Sequence, residues 1–316
     1  MIRIIANPTA GGGRALGEAS RLARACADAG IPTHVHVSSD RRDTIRTARE
    51  AAAFGLVVAC GGDGTIHDCL NGVMQAEDQA PRLGIWSVGT GNDIERGLRL
   101  TRQGSLESSG TKDESVTGDP RSIAAFVDAV VEGVFRSVDV GTVTCDQDES
   151  RQHFLGVLSC GFDSDVNERA NAMPVRVGKA RYLLGVAREL PGVRPRWYAI
   201  DSDGRDRSMA GMVVAIGNGP AYGSGMLVCP GADMSDGALD VTLVTDTTRR
   251  TFVSVLPKVY SGRHIDHPSV VSWTAKRIRI DAPDAIVYAD GERVGPLPAV
   301  ISVLPSALEV LDTYRT

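Results

Sequence analysis

Gly61-Gly62-Asp63-Gly64-Thr65 follows the apolar run Leu56–Cys60 and leads into Ile66-His67-Asp68-Cys69-Leu70. Glycines at this density let backbone N–H groups approach a ligand closely. The N-terminus of a following helix adds its positive dipole end, so the turn suits phosphate. A bare phosphate cradle gains nothing from a carboxylate, which casts Asp63 as a group handling a magnesium ion, a ribose or a proton beside the phosphates. Gly and Asp are also ordinary turn formers, and a plain strand-to-helix turn is the competing reading. A second element, Gly89-Thr90-Gly91-Asn92-Asp93 after Leu83–Val88, weighs against it. Two such turns, ending successive strands, would meet on one edge of an open α/β sheet, where these folds bind ligands.

Composition excludes several classes. The lysines are Lys112, Lys179, Lys258 and Lys276, none beside the glycine turns. That rules out a Walker A loop and a protein-kinase fold, each of which needs a lysine near its phosphates. The net charge of −5 argues against a nucleic-acid protein. The six cysteines form no C-x-x-C pair and read as small core residues. His264 and His267 have a metal-like spacing but no completing ligand, and read as loop residues. No apolar run approaches the roughly 18 residues of a membrane span. Met1–Ala6 reads as a strand too short for a signal peptide, so a cytoplasmic protein is expected.

The elements that must hold the turns follow from periodicity. A chain of 316 residues with 42% hydrophobic content favours two domains. Ile2–Ala6 reads as a strand leading to a third glycine-rich turn, Asn7-Pro8-Thr9-Ala10-Gly11-Gly12-Gly13. Apolar side chains then recur at helical spacing over Ala15–Ala29 and stop at Gly30. A strand at Thr33–Val37 precedes a helix at Asp40–Ala53 with Asp40 as N-cap. A helix from Thr65 to about Met74, a strand near Ile85 and a helix from Asp93 continue a parallel α/β alternation. Thr101–Pro120 reads as a mobile surface insertion, and Ile123–Val131 as a helix. From Val134 to about Val303, short alternating runs (Val138–Val143, Met212–Ile216, Leu239–Val244, Arg277–Ile280, Ile286–Ala289) indicate an antiparallel β-sandwich, interrupted by a helix at Lys179–Leu190.

Asn7-Pro8 with its glycine turn, Gly61–Thr65, Gly89–Asp93, Gly161-Phe162-Asp163, Tyr222–Met226 with Pro230, Asp236-Gly237-Ala238-Leu239-Asp240 and Asp290-Gly291-Glu292 occur in one order. That series resembles the catalytic domain of diacylglycerol and related lipid kinases in its bacterial soluble form. Sphingosine kinases are related to it, and NAD kinases more distantly. The resemblance implies an α/β ATP-binding domain over 1–133, with about 304–316 returning to it, and a β-sandwich lipid-substrate domain over 134–303. ATP would bind in the cleft between them. The nucleotide positions carry over to Ser38, to Gly61, Gly62, Asp63, Gly64, Thr65, Ile66 and His67, and to Thr90, with the motif residues Asn7 and Asn92. His67 stands where many members carry Asn. The proton acceptor carries over to Glu292, since a lipid hydroxyl attacking the γ-phosphoryl must lose its proton. Asp63 is the rival for that role, and a solvated hairpin turn is the bland reading of Asp290-Gly291-Glu292.

The resemblance also implies a magnesium site made by Asp236 with the backbone carbonyls of Asp233 and Ala238, an oxygen set suited to a hard cation. A plain Asp-Gly turn competes with it. Between Pro174 and Tyr198, six cations (Arg176, Lys179, Arg181, Arg188, Arg194, Arg196) stand against Glu189. This cluster either faces an anionic membrane or is a solvated helix face. The expectation is an ATP- and Mg2+-dependent kinase acting on a lipid hydroxyl, with diacylglycerol leading, in peripheral contact with the membrane and with no nucleic-acid partner. Its oligomeric state is open, a homodimer included. The alternatives are an NAD kinase-like phosphotransferase, to which Asn167-Glu168 bears a superficial likeness, and a lipid- or nucleotide-sensing regulator without catalysis.

Overall fold

The computed structural model describes residues 1–76, 81–102, 122–172 and 188–313. Most of the expected insertion at 101–120, the expected helix before Arg188, and Arg176, Lys179 and Arg181 lie outside the described residues. The chain divides into two compact units. One comprises Met1–Val140, Met234–Asp236 and Leu304–Thr316; the other comprises Gly141–Asp233 and Gly237–Val303.

The first unit is an α/β layer structure. Strands β1 (Ile2–Ala6), β2 (Thr33–Val37), β3 (Leu56–Gly61) and β4 (Arg82–Ser87) are joined by the end of the C-terminal strand Ala299–Leu311. The sheet is parallel, with β2, β1, β3, β4 and the C-terminal strand in that order. Helices α1 (Arg14–Asp28), α2 (Arg41–Ala52), α3 (Asp63–Val73), α4 (Asp93–Arg102) and α5 (Ile123–Glu132) connect the strands. Ile2, Ile4, Val58 and Cys60 bury one sheet face against Ala15, Ala19 and Leu22 of α1 and Phe126 of α5. Ile5, Val57 and Ala59 are also fully buried and, by the strand alternation, point to the other face. This is why β3 reads as a continuous apolar run: a parallel strand is covered on both sides. The Asp40 carboxylate caps α2 by accepting from Asp43 N at 2.9 Å, as the sequence indicates.

The second unit is antiparallel. It contains the end of β5 (Phe135–Cys145), with β6 (Asp148–Phe154), β7 (Val157–Gly161), β8 (Arg196–Ser202), β9 (Arg205–Asp206), β10 (Met209–Gly217), β11 (Leu239–Thr245), β12 (Val270–Ala275), β13 (Arg277–Asp281), β14 (Ile286–Ala289) and β15 (Glu292–Pro296). One run of strands is β12-β11-β10-β7-β14-β15; β13 pairs with β8 and with the first half of the C-terminal strand. Phe154, Leu158, Val214, Val241, Ile278, Val287 and Ile301 fill the core between them. Among the described residues, α6 (Phe162–Ala172) and a short helix at Arg249–Val255 interrupt the strands where no helix was expected.

Helices α2 and α3 approach so closely that a Cβ on Gly72 would sit 2.5 Å from Ile45 O and 2.5 Å from Ala48 Cβ. Gly to Ala within an open helix would stabilise by about 1 kcal/mol. Here the backbone clash outweighs that gain, and Gly72→Ala is expected to lower stability by about 1–3 kcal/mol in urea unfolding. A stabilised variant would refute this packing.

Candidate functional site

Because β1, β3 and β4 are parallel neighbours, in register from Ala6 with Cys60 and from Gly61 with Ser87, their C-terminal turns share one edge. The turns pack without room for side chains. A Cβ on Gly89 would lie 2.7 Å from Gly62 Cα, and one on Gly11, at φ +59, would lie 2.4 Å from Val88 O. Val88 N donates to Gly61 O at 2.7 Å. The chain leaves β1 for β2 on one side while β3 lies on the other, so this edge is a topological switch point, the usual ligand crevice of open α/β sheets.

Asp63 opens α3, and its Oδ1 accepts from Ile94 N at 3.2 Å near the start of α4. Its carboxylate thereby holds the second glycine turn against the first. Asn7 Oδ1 accepts from Thr9 N at 3.0 Å and Thr9 Oγ1 at 2.9 Å, which folds the first turn back on itself. Ser38 is buried just beyond β2, with its N and Oγ both directed to Ala6 O. Gly62 and Gly64 are partly exposed and Thr90 is exposed, whereas Gly61, Thr65, Ile66 and His67 are buried. Ile66 is a core side chain, so its contribution to any ligand is limited to the backbone. Asn92 adopts φ +53. His67 lies 3.3 Å from Arg41 Nη2, and Arg41 Nε pairs with Asp68 Oδ1 at 2.9 Å. Arg41 was not singled out by sequence reasoning, although its place directly after Ser38-Ser39-Asp40 puts it at this edge. Arg14, Glu18, Trp86, Ser87, Asn92 and Glu95 line a polar cavity of about 210 Å³ alongside.

In the second unit, Asp290 (φ +52) and Gly291 (φ +84) make the tight turn between β14 and β15 that the Asp-Gly pair signals. Glu292 is the first residue of β15. The Asp290 carboxylate accepts from Leu155 N at 3.1 Å and Gly156 N at 2.8 Å. Glu168 of α6 accepts from Tyr288 OH at 2.7 Å and Arg293 Nε at 2.8 Å, clamping the strands on both sides of the turn. The hairpin carrying Glu292 is therefore fixed at two points that sequence reasoning did not assign.

The same unit holds an apolar cavity of about 380 Å³, lined by Phe162, Val213, Met226, Phe252, Val255 and Val259 among others, with Asp163 and His264 in its wall. His264 is buried, and Nε2 lies 3.0 Å from Val228 O. His267 Nδ1 accepts from Ser269 N at 3.1 Å, so both histidines serve local structure. Among the described residues, no group of three His, Cys, Asp or Glu side chains is placed to hold a metal. The Asp233–Ala238 stretch is a turn with Gly237 at φ +74, and its oxygen-only donors match the chemistry of a hard cation. All six cysteines are free and buried, and burial pushes the Cys60 thiol up to about 12 and that of Cys145 to about 11.

Residues 1–143 match the diacylglycerol kinase catalytic domain, and residues 156–312 match the YegS C-terminal NAD kinase beta sandwich-like domain. A diacylglycerol kinase of Mycobacterium tuberculosis is 33% identical over 313 residues, 98% of this chain and 94% of its own. A diacylglycerol kinase of Bacillus subtilis is 27% identical over 300 residues, 94% of this chain and 91% of its own. A crystal structure from Bacillus anthracis str. Sterne, 24% identical, shares the fold with a TM-score of 0.75, covering 99% of this chain and 95% of that one. The matched family model and the relatives place the chain among phosphotransferases with an alcohol group as acceptor. The chain belongs to the diacylglycerol kinase catalytic domain family, as a lipid kinase.

Two outcomes are expected from the second unit. Asp290→Ala leaves two backbone N–H groups without their acceptor and should cost about 2–3 kcal/mol, with Asp290→Asn between it and the parent in urea unfolding. Burial holds the His264 pKa below the ordinary imidazole value, so the unfolded chain takes up the proton first. Stability is then complete above about pH 7 and falls as pH drops below about 6.5. The slope between these pH values and pH 5 should be shallower in His264→Gln.

Proposed function

We propose that the chain transfers the γ-phosphoryl group of ATP to a hydroxyl of a lipid, with diacylglycerol as the acceptor and phosphatidic acid as the product. The observation that carries this reading is the presence, in one chain, of a side-chain-free glycine edge suited to phosphates and an apolar cavity of about 380 Å³ suited to a lipid chain. The names of the Mycobacterium tuberculosis and Bacillus subtilis relatives support the choice of acceptor.

In this mechanism the Gly61–Thr65 turn and the start of α3 bind the phosphates through backbone N–H groups. Asp63 holds the neighbouring turn in place through Ile94 N. Ser38, Thr90, Asn7 and Asn92 complete the nucleotide set, and Arg41, tied to His67 and Asp68, adds a cation at the same edge. Glu292 accepts the proton of the lipid hydroxyl while the hydroxyl oxygen bonds to the γ-phosphorus. The bond to the β-phosphate oxygen breaks, and its electron pair leaves with ADP. Asp236 with the Asp233 and Ala238 carbonyls would hold a magnesium ion, whose preference for oxygen ligands these donors match. The protein would work in the cytoplasm in peripheral contact with the membrane.

Transfer of radiolabelled γ-phosphate from ATP into a panel of diacylglycerol, ceramide, sphingosine, monoacylglycerol, phosphatidylglycerol and NAD tests this. Label is expected in diacylglycerol, lost on chelation of magnesium, and lowered about 100-fold or more in kcat by Glu292→Gln, with the KM for ATP little changed. Label confined to NAD would sink the lipid acceptor, and an undiminished Glu292→Gln would remove the carboxylate from its role.

A further inference from the structure

The segment Arg249–Asp266 has two contrasting sides. It consists of the short helix Arg249–Val255 followed by the 3-10 turns Leu256–Ser261 and Arg263–Asp266. Its inner side chains, Phe252, Val255, Val259 and His264, are buried and line the apolar cavity. Outside, Val253 is 41% exposed, Tyr260 61% and Ile265 41%. Single exposed apolar residues are ordinary on protein surfaces and need no explanation. These three alternate with the exposed cations Arg250, Lys258 and Arg263, and Arg249 is anchored by a bond to Pro191 O. The segment carries four cations against the single carboxylate of Asp266, in a chain whose net charge is −5. Tyr260 both lines the cavity and is exposed, so it marks a mouth of the cavity on this side.

We infer that Arg249–Asp266 is the face that seats on an anionic lipid bilayer, and that the lipid chain enters the cavity past Tyr260. Interspersed cations and apolar side chains are the composition of an interfacial surface: the cations meet anionic head groups, and the apolar groups enter the acyl boundary. A nucleic-acid backbone would use the cations and leave Val253 and Ile265 without a role. A tyrosine at the mouth suits the same boundary, having an apolar ring and a polar tip. The inference rests on the lipid-kinase reading for the direction of lipid entry. The docking itself does not require catalysis.

The test is co-sedimentation of the full chain with vesicles of phosphatidylglycerol and phosphatidylcholine, or of phosphatidylcholine alone, without ATP. Binding is expected to the anionic vesicles and to weaken with salt. The triple variant Arg250→Gln, Lys258→Gln, Arg263→Gln and the double variant Val253→Asp, Ile265→Asp should each lower the partition constant at least about tenfold. Both should melt close to the parent, and both should retain activity on a short-chain diacylglycerol dissolved as monomer, since none of these residues lines the cavity. Parent-like vesicle binding by both variants would overturn the inference and point to another face, or to a protein partner here. Absence of vesicle binding by the parent would overturn it too. A parent that binds vesicles but phosphorylates no lipid would instead count against the kinase reading, so the two failures are separable.

Discussion

The first unit depends on a backbone contact that admits no side chain. The turns after β3 and β4 approach until Gly62 and Gly89 touch, and Val88 N bonds to Gly61 O at 2.7 Å. The turn after β1 reaches the same place, with Gly11 against Val88 O. Any Cβ there would have to displace backbone, which is costlier than moving a flexible side chain. The contact fixes where α3 and α4 begin, so it also fixes which N–H groups face the crevice. Asp63 completes it by linking the two helix starts. Its carboxylate thus braces the two turns against each other.

The second unit solves a different problem, holding a hairpin turn still. A two-residue hairpin by itself is free to rock. Here Asp290 ties the turn to the β6–β7 connection, and Glu168 joins Tyr288 to Arg293 across the two strands. α6 takes part in both tasks, since Phe162 and Asp163 at its start line the cavity while Glu168 holds the hairpin. Helix Arg249–Val255 closes the cavity with Phe252 and Val255. Both helices thus contribute walls to the cavity.

Much of this was legible in the sequence. The strand-turn-helix alternation, the Asp40 cap and the Asp-Gly hairpin are local choices, set by φ/ψ preferences and hydrogen bonds within a few residues. The meeting of the glycine turns was also readable, since parallel strands joined by right-handed crossovers have their C-terminal ends on one edge. Helix α6 and the helix Arg249–Val255 were not read. Arg249–Val255 is too short for a 3.6-residue period to stand out, though Thr248 supplies an N-cap. α6 announces itself only by Asp163 and Asp165 in its first turn.

What the sequence by itself determined, then, is local geometry and family order: the turns, the caps, the apolar strands and the motif series ending in Asp290-Gly291-Glu292. The tertiary structure alone decided which distant groups share a site. Arg41 reaches His67 across 26 residues, and Glu168 reaches Arg293 across 125. The apolar cavity likewise gathers Phe162, Val213 and Phe252 from three separate elements. Such pairings depend on how buried faces stack, and stacking is a property of the whole core that no short window of residues encodes.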